Sequence, residues 1–455
     1  MKQLIQNYRN GIIEIIDTPP PTIKDGHLLI ATRCSVISAG TERTITQFAG
    51  SNLISKITQR PEKLKTAIQQ VKTQGVQRTF KSVQEKLDRW YPLGYCNSGI
   101  ILEAGPNTDR FKPGMRVACN GNHSEIVLVP KNLCSVIPEN VSDETAAFAI
   151  LGAIALQGVR LAKPTLGEYF AVIGLGLVGL ITVQLLHANG CKVLAIEPNE
   201  ERAKLGREFG AQVITNDDIN SILSSAQQFT TGNGIDGVLI TAATDSEKPI
   251  EYSARMCRKR GRIVLTGVTG LNINRSDFYE KEISFQISCS YGPGRYDKQY
   301  EDNGNDYPIG FVRWTEQRNI SAILDLMNSG SIQIAPLISH QFEFDLAQQA
   351  YDVLINESSS LGILLNYEPK VKKQEILYPK SIVITTDTSK QASDKPCIAL
   401  IGPGNYAIHS LLPALQESSV DLHTLMSSGQ PHSVKLAKKY GFKKYTTDYD
   451  EILDN

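Results

Sequence analysis

The chain has 455 residues, of which 41% are apolar and 21% charged, and 47 Lys plus Arg balance 47 Asp plus Glu. That length allows two or three domains with buried cores, and a net charge of zero supplies no field for nucleic acid or a membrane surface. No apolar run approaches the roughly 20 residues needed to span a bilayer.

Residues 1–150 open with "MKQLIQNYRN", which turns polar at once and does not read as a secretory leader. Short apolar runs follow between Gly and Pro, as in "GIIEIID", "HLLIATRCSVI", "SGIILEAG" and "EIVLVP". They predict a small β-rich domain. Residues 44–90 interrupt it with pieces of helical spacing. Within them, residues 51–90 carry nine Lys or Arg against three Asp or Glu, a surface for an acidic partner or a solvated helix face. From 151 to 300 strand and helix alternate, with "YFAVIGL", "KVLAIE", "GVLITAA" and "GRIVLTG" as strands. That alternation predicts a doubly wound parallel sheet, an α/β dinucleotide-binding fold. Residues 301–366 supply two helices and a strand that returns to the first domain. Residues 367–394 are rich in Lys, Ser and Thr and read as a linker. Residues 395–455 begin a second strand–glycine–helix unit, "CIALIGPGNYA", too short to complete such a fold alone. Eight cysteines are scattered without a C-x-x-C pair, which suits reduced thiols in a cytoplasmic protein.

The most informative stretch is "VIGLGLVG". Gly174, Gly176 and Gly179 have G-x-G-x-x-G spacing between a β-branched strand and an apolar helix that starts at Leu177 and Val178. The first glycine makes the turn, the second admits a pyrophosphate, and the third brings helix and strand together. The next strand ends in Glu197, 23 residues after Gly174, where a carboxylate binds ribose hydroxyls and repels a 2′-phosphate. NAD is therefore expected, with NADP as the alternative because Arg202 stands nearby. Thr241, Ala242, Gly267 and Val268 close later strands of the same sheet, where such folds hold their ligands.

A β-rich domain, this glycine turn and a returning segment together resemble the medium-chain dehydrogenase/reductase superfamily, of zinc-type alcohol dehydrogenase-like and quinone reductase members. The resemblance covers about residues 1–366 and implies a GroES-like catalytic domain beside a Rossmann domain. "KLDRWYPLGYCNSG" and "SYGPGRYDKQYEDNGNDYPIGFVRWTEQRN" are similar to a narrower group, two-domain oxidoreductases of bacterial surface-polysaccharide gene clusters. The unit after residue 395 resembles the start of a glucose–fructose oxidoreductase/inositol dehydrogenase-like domain. In metal-dependent members a Cys-Gly-Thr-Asp and a Gly-His-Glu stretch supply zinc ligands. Here they read Ala39-Gly40-Thr41-Glu42 and Gly94-Tyr95-Cys96, so the resemblance implies a vacated zinc site and no bound metal.

Without a metal, hydride exchange at a hydroxyl or carbonyl still needs a proton donor. Tyr95 matches a position that points at substrate in the family, and Thr41 matches a proton-relaying hydroxyl. His123, in "GNHSEIV", is either a base facing the cleft or a surface histidine, and Glu42 reads as a carboxylate that holds its loop. Tyr291, Arg295, Arg313 and Trp314 combine cations with aromatic rings, as an anionic sugar derivative such as a nucleotide sugar would require; a subunit or domain interface would use the same residues. The expected activity is that of a zinc-free NAD(P)-dependent oxidoreductase acting on a sugar-like molecule, in a chain that can form homo-oligomers as its superfamily does. A non-catalytic dinucleotide-binding scaffold and a quinone or enone reductase are the competing readings.

Overall fold

The computed structural model describes residues 1–40, 42–43, 46, 88–108, 110–368, 379–385, 395–429 and 431–453. The helical insert expected over 44–90 therefore lies almost wholly outside the described residues.

The first domain is built around one long strand, His27–Ser38. It pairs antiparallel with Asn97–Ala104 along one edge and, along the other, with Ile126–Pro130 and then the late strand Gly362–Asn366. Ile338–Glu343 then adds in parallel to Gly362–Asn366, so the chain re-enters this sheet after leaving the second domain. A smaller sheet sets Lys2–Asn7 between Ile13–Asp17 and Trp90–Pro92.

The second domain is a six-stranded parallel sheet. Its order, edge to edge, is Gln212–Ile214, Lys192–Ile196, Tyr169–Ile173, Ile235–Ile240, Cys257–Leu265 and Ser284–Ile287. In chain order that is 3-2-1-4-5-6, whose reversal between the first and fourth strands opens a crevice at their carboxyl ends. The central strands are continuous apolar runs because helices cover both faces; Phe170, Ala171 and Val172 have no exposed surface. Helix Ala149–Ala162 ties the domains together, burying eleven of its fourteen residues. It packs against helix Glu316–Asn328 where Gly152 leaves room, since a Cβ there would fall 2.6 Å from Ile323. The fold class expected from sequence is thus the one observed: a β-rich domain joined to a Rossmann-type α/β domain.

One segment departs from its reading. Inside the stretch taken as a linker, Ser381–Val383 forms a strand antiparallel to Lys444–Thr446. It completes a four-stranded sheet with Asp421–Met426 and Cys397–Ile401. Its two β-branched residues carry the strand, and the Ser/Thr-rich flanks hide them. The C-terminal unit also borrows its core: Leu412, Leu425, Val434, Phe442 and Tyr445 cluster with Ile5 and Ile16 of the first domain. Lys435 lies over the Trp90 ring at 4.3 Å and pairs with Glu14. Among the described residues no helix is long and apolar enough to cross a membrane. Six cysteines are buried, while Cys289 and Cys397 are exposed.

Candidate active site

The glycine turn has the geometry its sequence requires. Gly174 adopts φ +92°, and a Cβ there would meet Ala242 at 2.8 Å. A Cβ on Gly179 would come 2.0 Å from the Gly174 carbonyl oxygen, so helix Leu177–Ala188 approaches the strand only because this residue is glycine. Gly176 meets nothing within 4 Å, which leaves backbone open to a pyrophosphate. As N-cap of that helix it offers no side chain to the first amides, and they remain for an anion. Thr241 Oγ1 donates to the Gly174 carbonyl at 2.6 Å and braces the turn.

Glu197 is buried at the end of its strand. Its Oε2 accepts from the Leu175 amide at 2.7 Å and Oε1 from the Asn199 amide at 2.9 Å, so each oxygen keeps a lone pair for a ribose hydroxyl. Arg202 reaches across to the Ser358 carbonyl at 2.7 Å. Gly267 packs its backbone against Ala242, where a Cβ would be 2.1 Å from the carbonyl oxygen, and Val268 stands exposed beside it. Thr266 Oγ1 is buried without a hydrogen-bond partner among the described residues. An open glycine, uncapped helical amides, a carboxylate at the end of the next strand and an orphan hydroxyl fit a dinucleotide.

Zinc does not fit in the same way. Ala39 occupies the position of one expected ligand and half-buried Tyr95 that of another. Cys96 is fully buried, and burial pushes its thiol well above the usual range, against the thiolate a metal needs. Among the described residues no three His, Cys, Asp or Glu side chains are grouped to hold a metal.

A cleft of about 600 Å³ lies between the domains, with Glu42, Tyr95, Ile154, Thr266, Tyr291 and Arg295 on its walls. Thr266 follows directly on strand Cys257–Leu265, so the cleft opens against the carboxyl edge of the nucleotide-type sheet. His123 is fully buried rather than on the surface. Its Nε2 lies 3.3 Å from Glu42 Oε2 and its Nδ1 2.7 Å from Ser35 Oγ, which in turn is 2.9 Å from the Tyr367 hydroxyl. Tyr351 donates to Glu42 Oε2, and the Ser38 amide donates to Oε1 at 3.1 Å. Gly94, at φ +85°, lets the imidazole in: a Cβ there would come within 2.6 Å of the ring. Thr41 lies outside the described residues.

Tyr291 is buried, and its hydroxyl accepts from Asn120 Nδ2 at 3.0 Å. Arg295 pairs with Glu301 and lies over the Tyr296 ring at 4.4 Å. Arg313 and Trp314 are not brought to these walls; Trp314 is stacked by Arg160 at 3.3 Å and by Arg313 at 3.8 Å. Sequence reasoning missed Glu316, which is fully buried with neither carboxyl oxygen hydrogen-bonded among the described residues. Burial, helped by Glu301 and opposed by Arg295, pushes its carboxyl up to about 8. Nothing in its local sequence distinguishes it from a surface glutamate opening a helix.

The sheet order, the glycine turn and the interdomain cleft are those of an NAD(P)-dependent dehydrogenase or reductase, and the similar proteins are zinc-type alcohol dehydrogenase-like enzymes. Residues 178–302 match the zinc-binding dehydrogenase family. Among particular relatives, (R,R)-butanediol dehydrogenase of Bacillus subtilis (strain 168) is 23% identical over 305 residues, covering 60% of this chain and 80% of that protein. D-guloside 3-dehydrogenase of Escherichia coli (strain K12) is 24% identical over 283 residues, covering 60% of this chain and 76% of its own. The crystal structure of a short chain alcohol dehydrogenase (rspB) from E. coli CFT073 complexed with NADH shares the fold, with TM-score 0.60 and 18% identity over 80% of this chain and 99% of that one.

Proposed function

We propose that the chain is a zinc-independent NAD(P)-dependent oxidoreductase that exchanges a hydride with a hydroxyl- or carbonyl-bearing carbon of a sugar-like substrate. The observation that carries this reading is the cleft: a wall that holds acid–base-capable side chains, Glu42 and Tyr95 among them, opens against the carboxyl edge of a sheet fitted for a dinucleotide. Gly174, Gly176, Leu177, Val178 and Gly179 would hold the pyrophosphate, with Glu197 on the adenosine ribose. Thr241, Ala242, Gly267 and Val268 would flank the rest. NAD is favoured by Glu197, and NADP is the alternative through Arg202. Once bound, the nicotinamide supplies or takes the hydride.

The protein's own groups handle orientation and the proton. Tyr95 would present its hydroxyl toward the substrate oxygen, Thr41 has the same role by its match to the family's relay hydroxyl, and buried His123 orients the polar groups behind them. Tyr291 and Arg295 bind a sugar-like or anionic moiety, such as that of a nucleotide sugar, and Arg313 with Trp314 extends this surface outside the cleft. The Glu42 carboxylate and the tyrosine hydroxyls set in this largely apolar lining suit alcohol–carbonyl exchange better than enone reduction, which needs no such acid–base group. The curated relative named for D-gulosides supports a sugar substrate. A role in surface polysaccharide synthesis in the cytoplasm rests on the tyrosine-rich stretch.

Fluorescence titration of metal-analysed protein with NADH and NADPH, repeated on Glu197→Ala, tests the reading. NADH is expected to bind more tightly than NADPH without stoichiometric zinc, and Glu197→Ala to narrow the difference. Folded protein that binds neither dinucleotide would instead be a scaffold.

A further inference from the structure

Glu42 reads from sequence as a loop carboxylate, yet its surroundings are those of a reacting group. Its side chain is 1% exposed and still forms part of the cleft wall. A carboxylate offers about four acceptor positions. Oε2 uses its share on His123 Nε2 and the Tyr351 hydroxyl. Oε1 meets, among the described residues, only the Ser38 amide. A lone pair on Oε1 is therefore left for a hydroxyl brought into the cleft.

Behind the carboxylate the polar groups form an ordered chain. With Glu42 as acceptor, His123 Nε2 carries the hydrogen, so Nδ1 accepts from Ser35 Oγ, and Ser35 accepts in turn from Tyr367. Ser35 and His123 have no exposed surface, Tyr351 is 2% exposed and Tyr367 7%. A loop brace needs only the Ser38 amide. Two further buried side chains, His123 and Tyr351, converge on the carboxylate and fix its direction, while Ser35 and Tyr367 behind the imidazole fix its tautomer. The groups facing it are His123, Tyr351, Tyr95 and the buried Cys96 thiol.

We infer that Glu42 is the acid–base residue of the cleft and that His123 and Tyr351 position it; this rests on the oxidoreductase reading above. In the oxidising direction the substrate hydroxyl gives its proton to Glu42 Oε1. The O–H bonding pair becomes the second C–O bond of the carbonyl, and the same carbon loses hydride to oxidised nicotinamide. Two electrons and one proton leave as hydride; the other proton stays on Glu42 until product departs and solvent takes it. Carbonyl reduction is the reverse.

The test pairs kinetics with a cofactor-free measurement. NAD-linked oxidation of butane-2,3-diol, xylitol and sorbitol is followed in wild type, Glu42→Gln, Glu42→Asp and His123→Gln. Glu42→Gln should lower kcat by about 100-fold or more, with KM and NADH affinity changed only a few-fold. Glu42→Asp, which keeps a carboxylate set back by one carbon, should fall between the two and serves if the glutamine variant does not fold. His123→Gln should lower kcat by about tenfold and displace the pH–kcat profile, which a purely structural residue would not do. In apoprotein labelled with 15N-histidine, His123 should resonate as the Nε2–H tautomer, and Glu42→Ala should release it to a mixture. Either Glu42 variant at wild-type kcat, or an Nδ1–H tautomer in the apoprotein, overturns the inference. If wild type binds no dinucleotide or oxidises none of the three, the parent reading fails separately, and the tautomer still decides whether the pair exists.

Discussion

At the first turn of helix Glu316–Asn328, Glu316 has a carboxyl with no hydrogen-bond partner among the described residues. Burial holds its folded pKa at about 8, above the ordinary carboxylate value of 4.5, so between those values the native state holds a proton that the unfolded chain has released. Stability contributed by this group is present below the unfolded value and lost as pH rises toward the folded one. Glu316→Gln should therefore match wild type near pH 5 and exceed it near pH 8 by roughly 1–3 kcal/mol, read from urea unfolding at both pH values. Gly94 makes a sharper case. Both Gly94 and Gly114 have positive φ, but a Cβ on Gly94 strikes the His123 ring while one on Gly114 meets nothing within 4 Å. Gly114→Ala should cost about 1 kcal/mol for the backbone alone. Gly94→Ala should cost at least about 2 kcal/mol more, and the 15N spectrum of His123 should move only in that variant.

Among the elements, the C-terminal unit depends on its neighbour. Its sheet packs its apolar side against Ile5, Ile16 and Trp90, and Arg89 donates to Asn405 at 2.6 Å. Trp90→Ala removes the ring beneath Lys435 and should free this unit to open on its own, by about 2–4 kcal/mol. Limited proteolysis within residues 395–453 should then accelerate while NADH affinity is unchanged. The tie between helix Ala149–Ala162 and helix Glu316–Asn328 behaves differently. Gly152→Val would push Ile323 out of its seat and should loosen the cleft wall carrying Tyr291, which Asn319 holds by its carbonyl at 2.9 Å. A lower melting temperature and a faster-exchanging Tyr291 amide in hydrogen exchange would report both effects.

Across the whole molecule, what the sequence discloses depends on how far apart the interacting residues lie. The dinucleotide sheet is readable because its strands are short continuous apolar runs and its turn is a local glycine pattern, each complete within a dozen residues or so. The proton chain is not. Ser35 meets Tyr367 across 332 positions and Glu42 meets Tyr351 across 309, and neither pair leaves a periodic trace. His123 could be singled out but not placed, because its burial depends on the bend at Gly94 rather than on its own loop. The strand Ser381–Val383 was lost to composition: three residues among serines and threonines are too few to show a period.

The long strand His27–Ser38 has the second half of one edge closed by Gly362–Asn366, and this sets an order in time. On a ribosome the strands of residues 169–287 emerge together and can pair as they appear. The first-made sheet must wait, with the Cys34–Ser38 half of one edge open, until more than three hundred further residues have been synthesised. The early sheet is thus finished after the dinucleotide sheet made later, and the cleft, with Glu42 on one bank and Thr266 on the other, takes its full form only at that closure.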